Sequence, residues 1–125
     1  MSRNIIHTNS APASPAYSQA VRAAGLIFVS GQGPFSAHTG EVVGQTIQEQ
    51  THQCLTNVAA ILTAAGSSLD RIASVTFILA NESDFAGMNE EWMRWFPTNP
   101  PARQGAKLPI QPKGMRVSIA VIAEA

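Results

Sequence analysis

The segment from Thr46 to Gly66 constrains the fold most, because its sequence predicts a long helix and contains signals for both the start and the end of that helix. Thr46 can cap the first turn while Glu49 reaches back to it, and Gly66 suits the residue that follows a helix. Apolar residues recur between these ends at helical spacing, namely Ile47, Cys54, Leu55, Val58, Ile61, Leu62 and Ala65. The pattern predicts an amphipathic helix.

A second helix is predicted shortly before Pro97. Asn81 or Ser83 is the expected cap, and the helix must end before the proline, since the residue preceding a proline avoids helical backbone. Its apolar stripe consists of Phe85, Met88, Trp92 and either Trp95 or Phe96.

Six further segments read as strands because they are rich in β-branched residues or alternate in polarity: 5–8, 18–23, 26–30, 72–80, 102–107 and 115–123. The last alternates most clearly, with Met115, Val117, Ile119, Val121 and Ala123 on one face and Arg116, Ser118, Ala120, Ile122 and Glu124 on the other. The segment 26–29 is apolar on both faces, whereas two helices can cover only one side of so wide a sheet. We therefore expect the uncovered side to meet another subunit.

Composition narrows the class of protein. The 125 residues fit one domain spanning 1–125, and 8 Lys+Arg balance 8 Asp+Glu, so the formal net charge is zero. Without excess charge there is no long-range attraction to phosphate polymers or anionic lipid, which argues against nucleic-acid binding. No apolar run suits a signal peptide or a membrane span, and these features predict a cytoplasmic protein without membrane association.

No metal site is predicted from the cysteine and histidine positions. Cys54 is the single cysteine, and it lies on the apolar stripe of the first helix, where a thiol acts as a small hydrophobe. The three histidines are far apart in sequence and have no paired ligand spacing: His7, His38 and His52. Cys54 is therefore expected in the core.

Arg103 is the most informative polar residue. It follows the rigid segment 99–102 at the start of a strand, which fixes the direction of its side chain, and a planar guanidinium held there suits bidentate binding of a carboxylate. The structural alternative is an ion pair at a sheet edge. Tyr17 is either a phenol that lines a pocket or a packed ring whose hydroxyl is exposed to solvent. Ser30 is a serine at the end of a strand, and its side chain is expected to form a hydrogen bond with the backbone.

Taken in order along the chain, these residues resemble the RidA/YjgF family of reactive-intermediate deaminases. The resemblance runs nearly end to end and rests on the segments 15–20, 30–32, 39–41, 49–51, 101–103 and 112–114, together with Asn57, Phe85 and Asn89. It implies an α+β, chorismate-mutase-like fold with a six-stranded mixed sheet and two helices packed on one face. It also implies a homotrimer whose sheets line a central barrel, with three ligand clefts between neighbouring subunits.

The family resemblance further implies hydrolysis of 2-imino or 2-enamino acids to 2-keto acids and ammonia, with no metal or organic cofactor. Arg103 matches the carboxylate-binding arginine of the family. The residues that match positions in or beside the cleft are Tyr17, Ser30, Gly31 and Asn89.

Two departures from the family pattern bear on activity. Where the deaminases usually carry a glutamate that orients the attacking water, this chain has Ser118. Where the family often has Cys or Thr two residues after the arginine, Gly105 keeps a backbone N–H for the ligand but no side chain, which predicts a roomier pocket. A general base contributes about 10²–10⁴-fold, so slow or differently selective deamination is expected.

Three functions remain open at this point. The first is an imine or enamine deaminase acting on a small carboxylate, with Arg103, Tyr17 and Ser118 as its catalytic residues. The second is a non-catalytic binder or sensor of small carboxylates or keto acids, in which Arg103 is retained while the glutamate is absent. The third is an endoribonuclease, an activity attached to some family members, which zero net charge does not favour.

Overall fold

The computed structural model describes residues 3–125, in which six strands form one sheet and two helices lie against one of its faces. The strands are β1 (Asn4–Ile6), β2 (Ala20–Ala23), β3 (Leu26–Gln32), β4 (Ile72–Leu79), β5 (Ala102–Lys107) and β6 (Val117–Glu124). The helices are α1 (Ile47–Ala64) and α2 (Phe85–Trp95). All the segments predicted as strands or helices are present, with small shifts at their ends.

The strand order across the sheet is β1-β2-β3-β6-β4-β5. Neighbouring strands are antiparallel except β4 and β5, which are parallel because α2 carries the chain across between them. The α+β class and the six-stranded mixed sheet with two helices on one face are therefore confirmed. None of the helices in residues 3–125 is both long and apolar enough to cross a bilayer.

The core lies between the helices and one face of the sheet. Alternate residues of β6 are buried there as predicted: Val117, Ile119, Val121 and Ala123. Cys54 of α1 is fully buried in the same cluster, which confirms its predicted place in the core. Burial raises the pKa of its thiol well above the usual range, so Cys54 is a packing residue.

Both ends of α1 form as the sequence predicts. The Thr46 side chain accepts a hydrogen bond from the Glu49 backbone N–H, and Glu49 Oε1 accepts from the backbone N–H of Thr46 and of Gln45. These bonds hold the pKa of Glu49 below its ordinary value, the Thr46 backbone bond being the largest cause. At the other end Gly66 adopts a positive φ of 80°.

The start of α2 differs from the prediction. Neither Asn81 nor Ser83 caps the helix, because a short 3₁₀ turn (Glu82–Asp84) precedes it and makes no side-chain cap. The buried Asp84 carboxylate instead accepts hydrogen bonds from Arg116 Nε at 3.1 Å and Nη2 at 2.6 Å.

Arg116 therefore has a different place from the one predicted. It lies before β6, which begins at Val117, and its Nη1 also donates to the backbone oxygen of Gln45 at 3.0 Å. A planar guanidinium can make these bonds together, so Arg116 ties the start of α1 to the start of α2. The bond to Asp84 raises the pKa of Arg116.

The sheet face opposite the helices, here called the open face, has no covering element among residues 3–125. Cross-strand pairing places four apolar residues in one row across it: Ile5, Val21, Phe28 and Ile122. The Ile5 and Phe28 side chains are well exposed, at 64% and 41%. An apolar row with two exposed and two partly exposed members, Val21 and Ile122, marks a surface that is suited to contact with another molecule.

Candidate functional site

Arg103 lies on β5, where the parallel register places it beside Val75 of β4 and so on the helix face of the sheet. Phe85, Asn89 and Trp92 of α2 share the helix face that meets it, because their spacing of four and three residues repeats once per turn. Asn89 Oδ1 accepts a hydrogen bond from Arg103 Nη1 at 2.8 Å. Arg103 and Asn89, predicted to belong to one site, are thus brought together.

Three aromatic rings surround the same guanidinium. The Arg103 Cζ atom lies 5.1 Å from the ring centre of Phe77, 5.7 Å from that of Phe85 and 5.1 Å from that of Trp92. Loss of water in this apolar setting lowers the pKa of Arg103 from its ordinary value, although an arginine remains a cation near neutral pH. A half-buried guanidinium with one side-chain acceptor among the described residues is well placed to bind an anion.

Gly105 does not provide the extra space that the sequence predicted. A Cβ added there would lie 2.1 Å from Cζ of the Phe77 ring and 2.3–2.5 Å from its Cε atoms. The ring of Phe77, which faces Gly105 across the β4–β5 pair, already occupies that volume. The expectation of a roomier pocket is therefore wrong.

Ser118 and Gly31 form a second group of predicted site residues. Val121 of β6 points into the core beside Val75, and Ser118, three residues earlier, lies on the opposite side of the sheet, the open face. Gly31 of β3 is directly adjacent, since a Cβ added to it would lie 2.9 Å from Ser118 Oγ. No carboxylate forms a hydrogen bond with the Ser118 hydroxyl in the described part of the chain.

Tyr17 and Ser30 belong to a third group. Tyr17 is 57% exposed and, with Ser30, lines a cavity of about 650 Å³ that also includes Ile5. Ser30 Oγ donates to the Ser18 backbone oxygen at 2.7 Å, which confirms that this serine bonds backbone. The residue that follows Tyr17 is therefore attached to β3 through Ser30, which precedes Gly31.

Gln19 fixes this loop, a role that the sequence analysis did not assign. Its buried amide accepts from the Thr8 backbone N–H at 2.7 Å, and its Nε2 lies 2.9–3.0 Å from the backbone oxygens of Thr8, Ala11 and Pro12. A buried amide bonded on both sides is expensive to remove. In the sequence Gln19 is marked only by its place in the segment 15–20 that resembles the family, two residues after Tyr17.

A further polar cluster joins the two helices. Glu91 of α2 is buried, and its Oε2 accepts from Trp95 Nε1 at 2.8 Å and lies 3.1 Å from His52 Nδ1 on α1. No sequence pattern indicated it, because His52 and Glu91 are 39 residues apart. Within residues 3–125, no three His, Cys, Asp or Glu side chains are grouped closely enough to hold a metal ion.

The predicted site residues thus form separate groups within one chain. Arg103 and Gly105 lie on the edge strand β5, and Asn89 of α2 bonds the Arg103 guanidinium on the helix face. Ser118 lies on the open face beside Gly31. Tyr17 and Ser30 lie beyond Gly31 at the side of β1 and β2. A single chain therefore does not bring Arg103 and Ser118 around one ligand.

Comparison with known proteins places the chain among relatives of the same length and shape. The family model described as endoribonuclease L-PSP matches residues 8–125. The rat 2-iminobutanoate/2-iminopropanoate deaminase is 38% identical over 122 residues, covering 97% of this chain and 89% of the rat protein.

Solved structures agree with that match. A Yersinia pestis protein of the conserved Rid family, YyfA, is 36% identical with a TM-score of 0.93, covering 99% of this chain and 100% of that one. E. coli TdcF with bound serine is 34% identical with a TM-score of 0.90, and 98% of each chain is covered. With its sheet order, its helix placement and these matches in agreement, the chain belongs to the RidA/YjgF family.

Proposed function

We propose that this protein hydrolyses reactive 2-imino or 2-enamino acids to 2-keto acids and ammonia. The observation that carries the proposal is the Arg103 guanidinium, which Asn89 orients and three aromatic rings partly desolvate. Such a group binds the carboxylate that every substrate of this class contains. The named activity of the rat relative supports the same reaction.

The proposed chemistry needs little beyond binding and orientation. A water oxygen adds to C2 of the protonated imine, the C2–N bond breaks, and both protons of the water pass to the departing nitrogen. The nitrogen leaves as ammonium, which is in equilibrium with ammonia and a solvent proton, while C2 becomes a ketone. The protonated imine is already a strong electrophile, so holding the substrate and the water in place provides much of the rate. The reaction requires no cofactor.

The complete site is proposed to lie between subunits of a homotrimer. Arg103 and Ser118 lie on opposite faces of one sheet, so residues of both groups can line one cleft if different chains contribute them. The apolar row Ile5, Val21, Phe28 and Ile122 supplies a surface for that contact. Tyr17, Ser30, Gly31 and Asn89 then shape the cleft, and Ser118 is the closest counterpart to a water-orienting group.

Ser118 favours a second candidate, a non-catalytic binder or sensor of small carboxylates or keto acids. A hydroxyl near neutral pH is a poor proton acceptor, so a site without a carboxylate at position 118 retains binding more readily than turnover. Endoribonuclease activity ranks last because the net charge is zero. The proposed compartment is the cytoplasm, where the single free thiol of Cys54 is in keeping with a reducing environment.

Release of ammonia and keto acid from a panel of enzymatically generated 2-imino acids separates the candidates. Accelerated release by the wild-type protein, lost in Arg103→Ala, supports the deaminase. Binding of the keto acid with no acceleration on any imine supports the binder. Absence of both turnover and carboxylate binding would remove the proposed function altogether.

A further inference from the structure

The Phe77 ring and the missing side chain of Gly105 are two parts of one arrangement. The β4–β5 register sets the two residues opposite each other, and an added Cβ at Gly105 would come within 2.1–2.5 Å of three atoms of the ring. Real Cβ contacts are never this short, and the ring is itself buried in the core. A side chain at position 105 and a ring at position 77 therefore exclude one another.

The Phe77 ring also lies next to the guanidinium of Arg103. Its centre lies 5.1 Å from Arg103 Cζ and 5.9 Å from the ring centre of Phe85, whose plane is tilted by 38°. The hydrogen bond to Asn89 holds only one nitrogen of the guanidinium, so the plane of the group also depends on the rings beside it. Phe77 is the ring whose own position depends on Gly105.

We propose that Phe77 is a positioning residue for the Arg103 guanidinium and that Gly105 is required because it leaves room for the Phe77 ring. This inference rests on the proposed carboxylate-binding role of Arg103. It explains why position 105 is a glycine: the space beside Gly105 is filled by the Phe77 ring and is not available to a ligand. Residues 77 and 105 are then coupled, since a side chain at 105 harms carboxylate binding only while a ring is present at 77.

The test is a double-mutant cycle on binding of 2-oxobutanoate, measured by calorimetry. Gly105→Ala displaces the ring and weakens binding by about tenfold, within the range for coupled neighbours. Phe77→Val removes the ring and weakens binding by a smaller factor. The double variant binds no more weakly than Phe77→Val alone, because the clash is gone; losses that simply multiply would overturn the coupling.

A direct readout of Arg103 separates positioning from a general loss of packing. The Nε–Hε resonance of Arg103, assigned by its absence in Arg103→Lys, senses the ring current of a ring centred 5.1 Å away. It shifts in Phe77→Val and in Gly105→Ala. It stays in place in Leu79→Val, which shortens another buried side chain on the same strand and face.

Gly33→Ala is the matched control for the glycine change. An added Cβ there would lie 2.5 Å from a ring atom of Phe35, so Gly33→Ala creates a steric clash of similar severity with a different ring. It is expected to leave both the Arg103 resonance and 2-oxobutanoate binding unchanged. If Gly105→Ala does not fold, the double variant carries the test: a folded double variant supports the coupling, and one that also fails to fold overturns it.

The possible failures are distinguishable. If Arg103→Ala abolishes 2-oxobutanoate binding while Phe77→Val alters neither binding nor the Arg103 resonance, Phe77 is a packing residue and the proposed function stands. If Arg103→Ala binds 2-oxobutanoate as tightly as wild type, the proposed carboxylate site itself is wrong.

Discussion

Gly31 and Ser118 lie against each other across β3 and β6, so closely that a Cβ added at Gly31 would come within 2.9 Å of Ser118 Oγ. Glycine at 31 therefore leaves the space in which a longer side chain at 118 can extend on the open face. Both residues are partly accessible to solvent in the single chain. A change at Ser118 is accordingly expected to alter chemistry more than stability.

Ser118→Glu should raise the rate of imine hydrolysis by about 10²-fold or more, because it adds the general base that the deaminases usually carry. The gain should develop as pH rises through the pKa of the new carboxyl group, since only the ionised form accepts a proton. Ammonia release from enzymatically generated imines measures it. Ser118→Gln is the control, because glutamine has the size of glutamate but no charge. If Ser118→Glu folds but its turnover is unchanged, and Ser118→Ala is inactive, the serine has its own catalytic role.

Arg103→Ala should strongly weaken the binding of small keto acids while leaving the fold intact. A charge-assisted hydrogen bond contributes about 1.5–3 kcal/mol, which corresponds to a loss of about 10- to 150-fold in affinity. Arg103→Lys should recover only part of it, since an ammonium cannot make the planar two-bond contact. Calorimetric titration, with circular dichroism as the check on folding, gives the answer. Unchanged affinity in a folded alanine variant would identify Arg103 as a structural residue.

Light scattering at micromolar concentration should find a homotrimer. Ile122→Asp places a charge at the β6 end of the apolar row, beside Phe28, and should shift the mass toward the monomer. Thr56→Asp, on the exposed side of α1, is the control that should leave the assembly unaltered. A wild-type protein that remains monomeric under these conditions would contradict the intersubunit cleft.

Glu49→Gln should destabilise the protein in a pH-dependent manner. The folded-state pKa of Glu49 lies below its ordinary value of 4.5, so its ionised form stabilises the fold above that value, and this contribution is lost as pH falls through the lowered folded pKa. The melting temperature of Glu49→Gln should therefore lie below that of wild type at pH 7, and the two should converge in acid.

Gln19→Ala should lower the free energy of unfolding by about 1–3 kcal/mol, the usual effect of leaving buried backbone groups unpaired. Its amide bonds Thr8, Ala11 and Pro12, which shape the loop before Tyr17. Urea unfolding measures the loss. An unchanged midpoint would mean that water replaces the amide.

Local features of the sequence predicted local structure well. The capping box at Thr46 and Glu49 and the alternation of β6 depend on neighbours a few residues apart, and both are present as predicted. The predicted caps of α2, Asn81 and Ser83, are wrong because a 3₁₀ turn moves the start of the helix to Phe85. Asp84, which then precedes the helix, is held by Arg116, 32 residues later, and only the packing of both helix ends brings these two residues together.

The site was predicted less completely for the same reason. Arg103 and Asn89 were both named as site residues, and the structure joins them. The filling of the Gly105 position by Phe77 could not be foreseen, since it depends on the register of a parallel strand pair, which sequence patterns do not specify.

The position of β6 between β3 and β4 has a consequence for how the molecule is made. The last of the six strands in chain order is the one that joins the two halves of the sheet, so β1, β2 and β3 cannot form one layer with β4 and β5 until Val117–Glu124 has been synthesised. Until then the apolar surface of α1 is covered by only part of the sheet, and exposed apolar surface of this kind favours aggregation of incomplete chains.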